Sequence, residues 1–221
     1  MIKLGIPSKG RLQEQTAAWF AGRDMALERL ADREYAARLH GVAGVELVLL
    51  SAAEIPRELA SGRIHLGVTG QDMVREKLPG WAGLVQEKVA LGFGFADLVI
   101  AVPRAWVDVE GLDDLDAAAA AFRLKHGFRL RIATKYHNLT RAFLQGNGVA
   151  DYQLVDSQGA TEATVKNLHA EAIADITTSG ETLRANHLKV LGDAVILRSQ
   201  AVLYGSKVAD WTGLTLPEFA R

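Results

Sequence analysis

Short β-rich runs alternate with helical patterns from end to end of this 221-residue chain, which predicts an α/β fold of mostly parallel sheets. The candidate strands are Ile2 to Ile6, Val45 to Leu50, Leu66 to Val68, Leu98 to Val102, Leu130 to Ala133, Tyr152 to Val155 and Ala172 to Ile176. Between them, helical periodicity runs over Leu12 to Phe20, Glu58 to Ala60, Asp113 to Phe122, Leu139 to Leu144 and Thr161 to Leu168. A third observation bears on the C-terminal part. Leu188 to Leu191 and Ala194 to Leu197 flank Gly192-Asp193, a pair suited to a two-residue turn, so a C-terminal antiparallel hairpin is expected there.

One helix has readable limits, and another has readable anchors. Proline is comfortable only in a helix's first turn, so the helix containing Pro56 starts near Ala53 or Glu54 and stops at Gly62. Ala117 to Ala121 is a strong helix former, anchored by the apolar Leu115, Phe122 and Leu124.

Composition narrows the function. Half the chain is hydrophobic and 23% is charged, the profile of a globular protein with ample core material. Twenty-five basic residues against 26 acidic ones leave no overall field of the kind that marks a general nucleic-acid or membrane binder, so an anionic ligand needs a local pocket. The absence of cysteine excludes disulfides, thiolate metal sites and cysteine nucleophiles. The N-terminal residues lack the apolar region of a signal peptide, and no apolar stretch approaches the roughly 20 residues of a spanning helix. A cytoplasmic protein is expected.

Four segments hold candidate chemistry. The first strand runs into Pro7-Ser8-Lys9-Gly10-Arg11, which places Lys9 and Arg11 beyond a strand's carboxyl end, where open α/β sheets bind ligands. The same residues would also suit a solvated basic turn. The stretch from Asp175 to Leu183 delivers an acidic residue and then the hydroxyl-rich Thr177-Thr178-Ser179-Gly180 before a helical pattern. Backbone N–H groups at such a helix start, joined by hydroxyls, suit an anion, and Gly180 permits positive φ or close approach. An ordinary capped βα turn is the alternative. Arg131 to Arg141 again passes from strand to polar loop to helix, with Lys135 and Arg141 as possible ligand contacts and Asn138 as a possible N-cap. Gly159-Ala160-Thr161-Glu162 opens another helix and places Glu162 in its first turn, where the dipole favours a negative charge in any case.

Common alternatives find no support. The six histidines have no metal-ligand spacing, so no protein-held metal is expected. There is neither a P-loop nor a complete dinucleotide fingerprint, and no G-x-S-x-G elbow.

Taken in order, Pro7-Ser8-Lys9-Gly10-Arg11, Leu66 to Asp72, Ala133-Thr134-Lys135-Tyr136 and Asp175 to Asn186 resemble the ATP phosphoribosyltransferase family, in a form lacking a regulatory domain. The resemblance spans nearly the whole chain. It implies two lobes like those of type II periplasmic solute-binding proteins, with the active site in the interlobe cleft. Lobe I would comprise residues 1–94 and 178–221 and lobe II residues 95–177, with crossings near Phe93 to Asp97 and Ile176 to Ser179.

The resemblance also implies condensation of ATP, through adenine N1, with phosphoribosyl pyrophosphate, the first step of histidine biosynthesis. Phosphoribosyl pyrophosphate would be bound by Asp175, Thr178, Ser179, Gly180, Glu181, Thr182 and Leu183, and ATP by Lys9, Arg11 and Arg33. Asp175 and Glu162 are the candidate catalytic residues, with Mg2+ carried on the substrate phosphates. A homodimer that assembles with a regulatory subunit resembling histidyl-tRNA synthetase is the implied partnership. Two departures stand out: His137 where many relatives have proline, and Glu181, whose charge would repel phosphate unless turned away. A non-catalytic small-molecule binder on the same fold and a phosphoribosyltransferase for another base are the rival functions.

Overall fold

The computed structural model describes residues 1–29, 36–157 and 159–221. The chain forms two compact units. Unit 1 comprises Met1–Phe95 and Ser199–Arg221, and unit 2 comprises Ala96–Arg198.

Unit 1 begins with β1 (Ile2–Pro7), α1 (Arg11–Ala21), β2 (Leu27–Arg29), β3 (Ala36–Leu39) and β4 (Val45–Leu50). It continues through α2 (Ile55–Ala60), β5 (Leu66–Gly70), α3 (Gln71–Lys77), α4 (Trp81–Leu84) and β6 (Val85–Ala90). Unit 2 follows with β7 (Ala96–Pro103), α5 (Leu112–His126), β8 (Leu130–Thr134), α6 (His137–Gly146) and β9 (Tyr152–Asp156). Its remaining elements are α7 (Ala163–Lys166), β10 (Ala172–Thr177), α8 (Glu181–Ala185) and β11 (Leu188–Ser199), after which β12 (Ala201–Ser206) lies in unit 1.

The unit 1 sheet has the order β2-β3-β4-β1-β5-β12-β6. Strand β1 is parallel to β4 and β5, while β12 is antiparallel to β5 and β6, and β3 is antiparallel to β2 and β4. Every residue of β5 and β12 is buried, as strands covered on both faces require. One apolar cluster gathers Leu4, Ile6, Phe20, Leu47 and Leu203, and another gathers Ile55, Leu59, Val74 and Tyr204. Helix α2 lies close against β5: a Cβ at Gly67 would stand 2.7 Å from Ile55 Cγ2. Pro56 occupies the first turn of α2, with Glu54 before the helix and Ser61 after it.

In unit 2 the order is β11-β7-β10-β8-β9. Strands β10, β8 and β9 are parallel, with Ala172 opposite Ile132 and Leu130 opposite Tyr152, while β10 is antiparallel to β7. The loops after Thr134, Asp156 and Thr177 therefore leave the sheet at one edge, the carboxyl edge where α/β sheets place ligands.

Three expectations need correction. The sheets are mixed, because the apolar runs do not reveal direction and β12 enters unit 1 antiparallel. No turn forms at Gly192-Asp193, which lies inside the continuous β11. There the Gly192 amide donates to the Glu110 carbonyl at 2.9 Å, and the Asp193 carboxylate accepts the Leu112 amide at 3.0 Å at the start of α5. Tertiary partners override the local turn propensity. The first division falls between Phe95 and Ala96, and the second falls at Arg198/Ser199 instead of Ile176 to Ser179. Residues 178–198 stay in unit 2 because Leu183 and Leu188 pack with Val99, Ile173 and Ala133, and β11 pairs with β7.

Candidate active site

In unit 2 the strand β10 ends in Asp175, Ile176 and Thr177, opposite Val99, Leu98 and Asp97 of β7. Buried Ala172, Ile173 and Ala174 fix the strand in the sheet, and buried Leu183 fixes the far side of the loop. Between these anchors the chain is shaped by its own side chains. Thr177 Oγ1 accepts the Gly180 amide at 3.0 Å, and Gly180 adopts φ +71°, the left-handed conformation open to glycine at little cost. The Gly180 carbonyl then accepts the Arg184 amide at 3.0 Å, and the Asn186 side-chain amide donates to the Thr182 carbonyl at 2.9 Å. One Asp175 oxygen accepts the following amide, that of Ile176, at 2.9 Å.

An open pocket of about 330 Å³ lies on this loop, lined by Asp175, Thr177, Thr178, Ser179, Glu181, Thr182 and Leu183, with Ala96, Ile176 and Glu162. The sequence-predicted donor residues and Glu162 thus meet in one place, although Gly180 shapes the wall without lining it. The amide of Gly180 is occupied by Thr177, and the side chains of the lining residues contribute hydroxyls and carboxylates. Glu181 is exposed yet belongs to the lining.

Glu162 is positioned by the neighbouring loops. Lys135 Nζ donates to the Gly159 carbonyl at 2.6 Å, and the Ser157 and Thr161 hydroxyls share a 2.9 Å hydrogen bond. The Thr164 hydroxyl donates to the Thr161 carbonyl at 2.6 Å. Ser157, Thr161 and Thr164 are all buried, so these bonds satisfy polar groups that would otherwise carry a desolvation cost of about 1–3 kcal/mol each. Glu162 itself is the residue before α7, not part of its first turn. Asn138 is likewise not an N-cap: α6 starts at His137, and Thr134 Oγ1 sets up that start by accepting the Tyr136 amide at 2.9 Å. His137 Nε2 stands 3.4 Å from Asp156 Oδ1.

In unit 1, Lys9 is exposed at the carboxyl edge of β1, and Arg11 is the exposed first residue of α1. Neither makes an ion pair among the described residues, which leaves both cations available to an anion. Arg33 lies outside the described residues. The Leu66 to Asp72 segment fastens the returning chain: Ser199 Oγ donates to Asp72 Oδ1 at 2.9 Å, and the Gln71 amide donates to the Gln200 carbonyl at 3.1 Å. Beside it, the Tyr204 hydroxyl donates to Glu87 at 3.1 Å. Burial, reinforced by the Glu87 charge, pushes the Tyr204 phenol far above its ordinary range, so it remains a donor.

The sequence reading gave no role to Arg184 and none of its own to Thr177, while Lys135, read as a possible ligand contact, is turned onto the Gly159 carbonyl. Only Thr177 had a local signal, a hydroxyl three residues before a glycine at a strand end.

The family model described as ATP phosphoribosyltransferase matches residues 51–214. A curated ATP phosphoribosyltransferase from Cereibacter sphaeroides is 65% identical, the alignment covering 98% of this chain and 98% of the relative. The chain belongs to the ATP phosphoribosyltransferase family. Membership makes it a pentosyltransferase of the first step of histidine biosynthesis. An ATP phosphoribosyltransferase from Mesorhizobium japonicum is 51% identical, with 96% of this chain and 93% of the relative covered. Another from Afipia carboxidovorans is also 51% identical, but the alignment covers 95% of this chain and only 65% of that longer protein.

Among solved structures, a chain of the ATP phosphoribosyl transferase (HisG:HisZ) complex from Thermotoga maritima shares the fold with a TM-score of 0.71 at 22% identity, covering 94% of this chain and 88% of that one. A histidine kinase sensor domain with similarity to periplasmic binding proteins aligns at a TM-score of 0.52 and 14% identity, covering 94% and 83%. The ATP phosphoribosyltransferase fold here is thus of the two-lobe, type II binding-protein kind.

Proposed function

We propose that the Asp175 to Leu183 loop holds the ribose and 5′-phosphate of phosphoribosyl pyrophosphate while Lys9, Arg11 and Arg33 serve ATP. The observation that carries this reading is the convergence of Asp175, the loop hydroxyls and Glu162 on one pocket. Thr178, Ser179, Gly180, Glu181, Thr182 and Leu183 surround the phosphate, and the remaining oxygen of Asp175 accepts from the ribose hydroxyls.

In the reaction, the lone pair of adenine N1 forms a bond to ribose C1 as the bond from C1 to the pyrophosphate oxygen breaks, and the electron pair leaves with pyrophosphate. Attack through N1 makes the adenine amino group more acidic, and Glu162 receives a proton from it. Mg2+ enters as part of the substrate, on its phosphates; magnesium is commonly held by one or two carboxylates plus phosphates. Catalysis then rests on alignment of the reactants and on neutralising the departing pyrophosphate, with no covalent enzyme intermediate.

We propose further that the chain works in the cytoplasm as a homodimer joined to a regulatory subunit resembling histidyl-tRNA synthetase. The Thermotoga chain of like fold, solved in a HisG:HisZ complex, motivates this partnership. Among the described residues no helix is long and apolar enough to cross a membrane.

The test of the site assignment is Asp175→Asn. Turnover should fall by at least tenfold with a smaller change in donor affinity, measured by steady-state rates and calorimetry. Unchanged turnover would remove Asp175 from the chemistry.

A further inference from the structure

We infer that Arg184 is a donor-phosphate ligand of this chain, supplying positive charge that the pocket lining lacks. The inference rests on the proposed role of the Asp175 to Leu183 loop. Glu162, Asp175 and Glu181 all line the pocket, and the lining includes no lysine or arginine. A phosphate entering such a place meets three carboxylates and needs a nearby cation.

Arg184 is a cation seated on the same loop. A Cβ built on Gly180 would lie 3.0 Å from Arg184 Nη1, so the guanidinium rests over the glycine backbone, at the centre of the loop. Arg184 follows Gly180 by four residues and Glu181 by three, the spacings that bring side chains to one face of a helix. It is exposed, and it makes no ion pair among the described residues, so its donors are not spent elsewhere. Lys135 in the adjoining loop, in contrast, is turned onto the Gly159 carbonyl. The planar fork of a guanidinium matches phosphate oxygens two at a time, a geometry that an ammonium lacks. The seat also gives Gly180 a second reason to be glycine besides its positive φ: a side chain there would displace the guanidinium.

Were Arg184 only a surface cation near the end of a short helix, its removal would leave donor binding untouched. The test is calorimetric titration of the chain with ribose 5-phosphate, phosphoribosyl pyrophosphate and ATP, for wild type, Arg184→Gln, Arg184→Lys and Thr182→Val. Arg184→Gln should weaken both ribose phosphates by about tenfold or more and flatten the salt dependence of their binding, with ATP within about twofold of wild type. Arg184→Lys should recover part of the loss, and it decides the matter should the glutamine variant melt early. If Thr182→Val is impaired while both Arg184 variants bind like wild type, the loop is the phosphate subsite and the inference about Arg184 is overturned. If Thr182→Val also binds normally, the loop assignment itself is wrong and Arg184 loses its role with it.

Discussion

The hydroxyl of Thr177, the last residue of β10, accepts the amide of the left-handed Gly180 at 3.0 Å, closing the loop at the head of α8 with a side chain instead of a backbone carbonyl. Thr177→Val keeps the shape of the residue and deletes the acceptor. A part-buried amide left without its partner costs about 1–3 kcal/mol. Donor affinity should fall about fivefold or more and the melting temperature should drop, whereas Thr177→Ser should stay near wild type. Calorimetry and thermal unfolding of the pair check this.

The loop hydroxyls and its glycine should give distinct signatures. Hydrogen bonds to charged groups are worth about 1.5–3 kcal/mol, so Thr182→Val should weaken phosphoribosyl pyrophosphate binding about tenfold to a hundredfold with ATP affinity nearly unchanged. Gly180→Val forces a branched side chain to φ +71° and should abolish donor binding without unfolding the chain. Glu181→Ala removes a repulsive charge from the lining and should leave donor affinity equal or slightly improved. A Glu181→Ala variant more damaged than the other two would contradict this arrangement.

Arg11→Ala should mainly weaken ATP, because Arg11 stands at the carboxyl edge of β1 in unit 1 and the loop proposed to hold the donor belongs to unit 2. Separate titrations with the two substrates measure the split. A loss confined to phosphoribosyl pyrophosphate would reverse the assignment.

The loop from Asp175 to Leu183 was legible as a strand-loop-helix unit because its parts are consecutive: an acidic strand end, hydroxyls, a glycine, then a helix. Strands with apolar runs, such as Val45–Leu50, were read with their observed limits. Strand β6 was missed because Gln86, Glu87 and Lys88 make it polar, as befits the sheet edge where it lies. Gly192-Asp193 misled for the opposite reason: its turn chemistry is strong locally, but Asp193 is committed to the Leu112 amide some eighty residues away in sequence. The second division between the units could not be read locally, since it depends on where Leu183 and Leu188 find their apolar neighbours. Arg184 was hidden similarly, its place over Gly180 being set only once the loop has folded.

Acid should reveal the cap of α5. The Asp114 carboxylate accepts the amides of Glu110 and Gly111 at 3.0 and 3.1 Å. Those two bonds, with a smaller attraction from Lys189, hold its pKa below the usual carboxylate value. A group depressed in the folded state stabilises above its unfolded pKa, and that contribution disappears as pH falls through the folded value. Asp114→Ala should therefore melt below wild type at pH 7, and the gap should narrow once the pH drops below about 4. A gap of equal size at pH 3 would show that the charge is not responsible.

If the proposed regulatory subunit is the partner, feedback by histidine should belong to the complex with it. Rates of the isolated chain and of the complex, each with and without histidine, test this. Equal inhibition of both would contradict it.

The most direct measurement mixes the purified chain, alone and with the proposed regulatory subunit, with ATP, phosphoribosyl pyrophosphate and Mg2+, and follows the ultraviolet absorbance of an adenine ring ribosylated at N1. The loop at Asp175 and the cations at Lys9 and Arg11 predict that this chromophore appears, that its formation requires both substrates, and that pyrophosphate is released one for one with it. No N1-ribosylated product in the presence of the regulatory subunit, from a chain that is folded and binds both substrates, would contradict the proposed reaction.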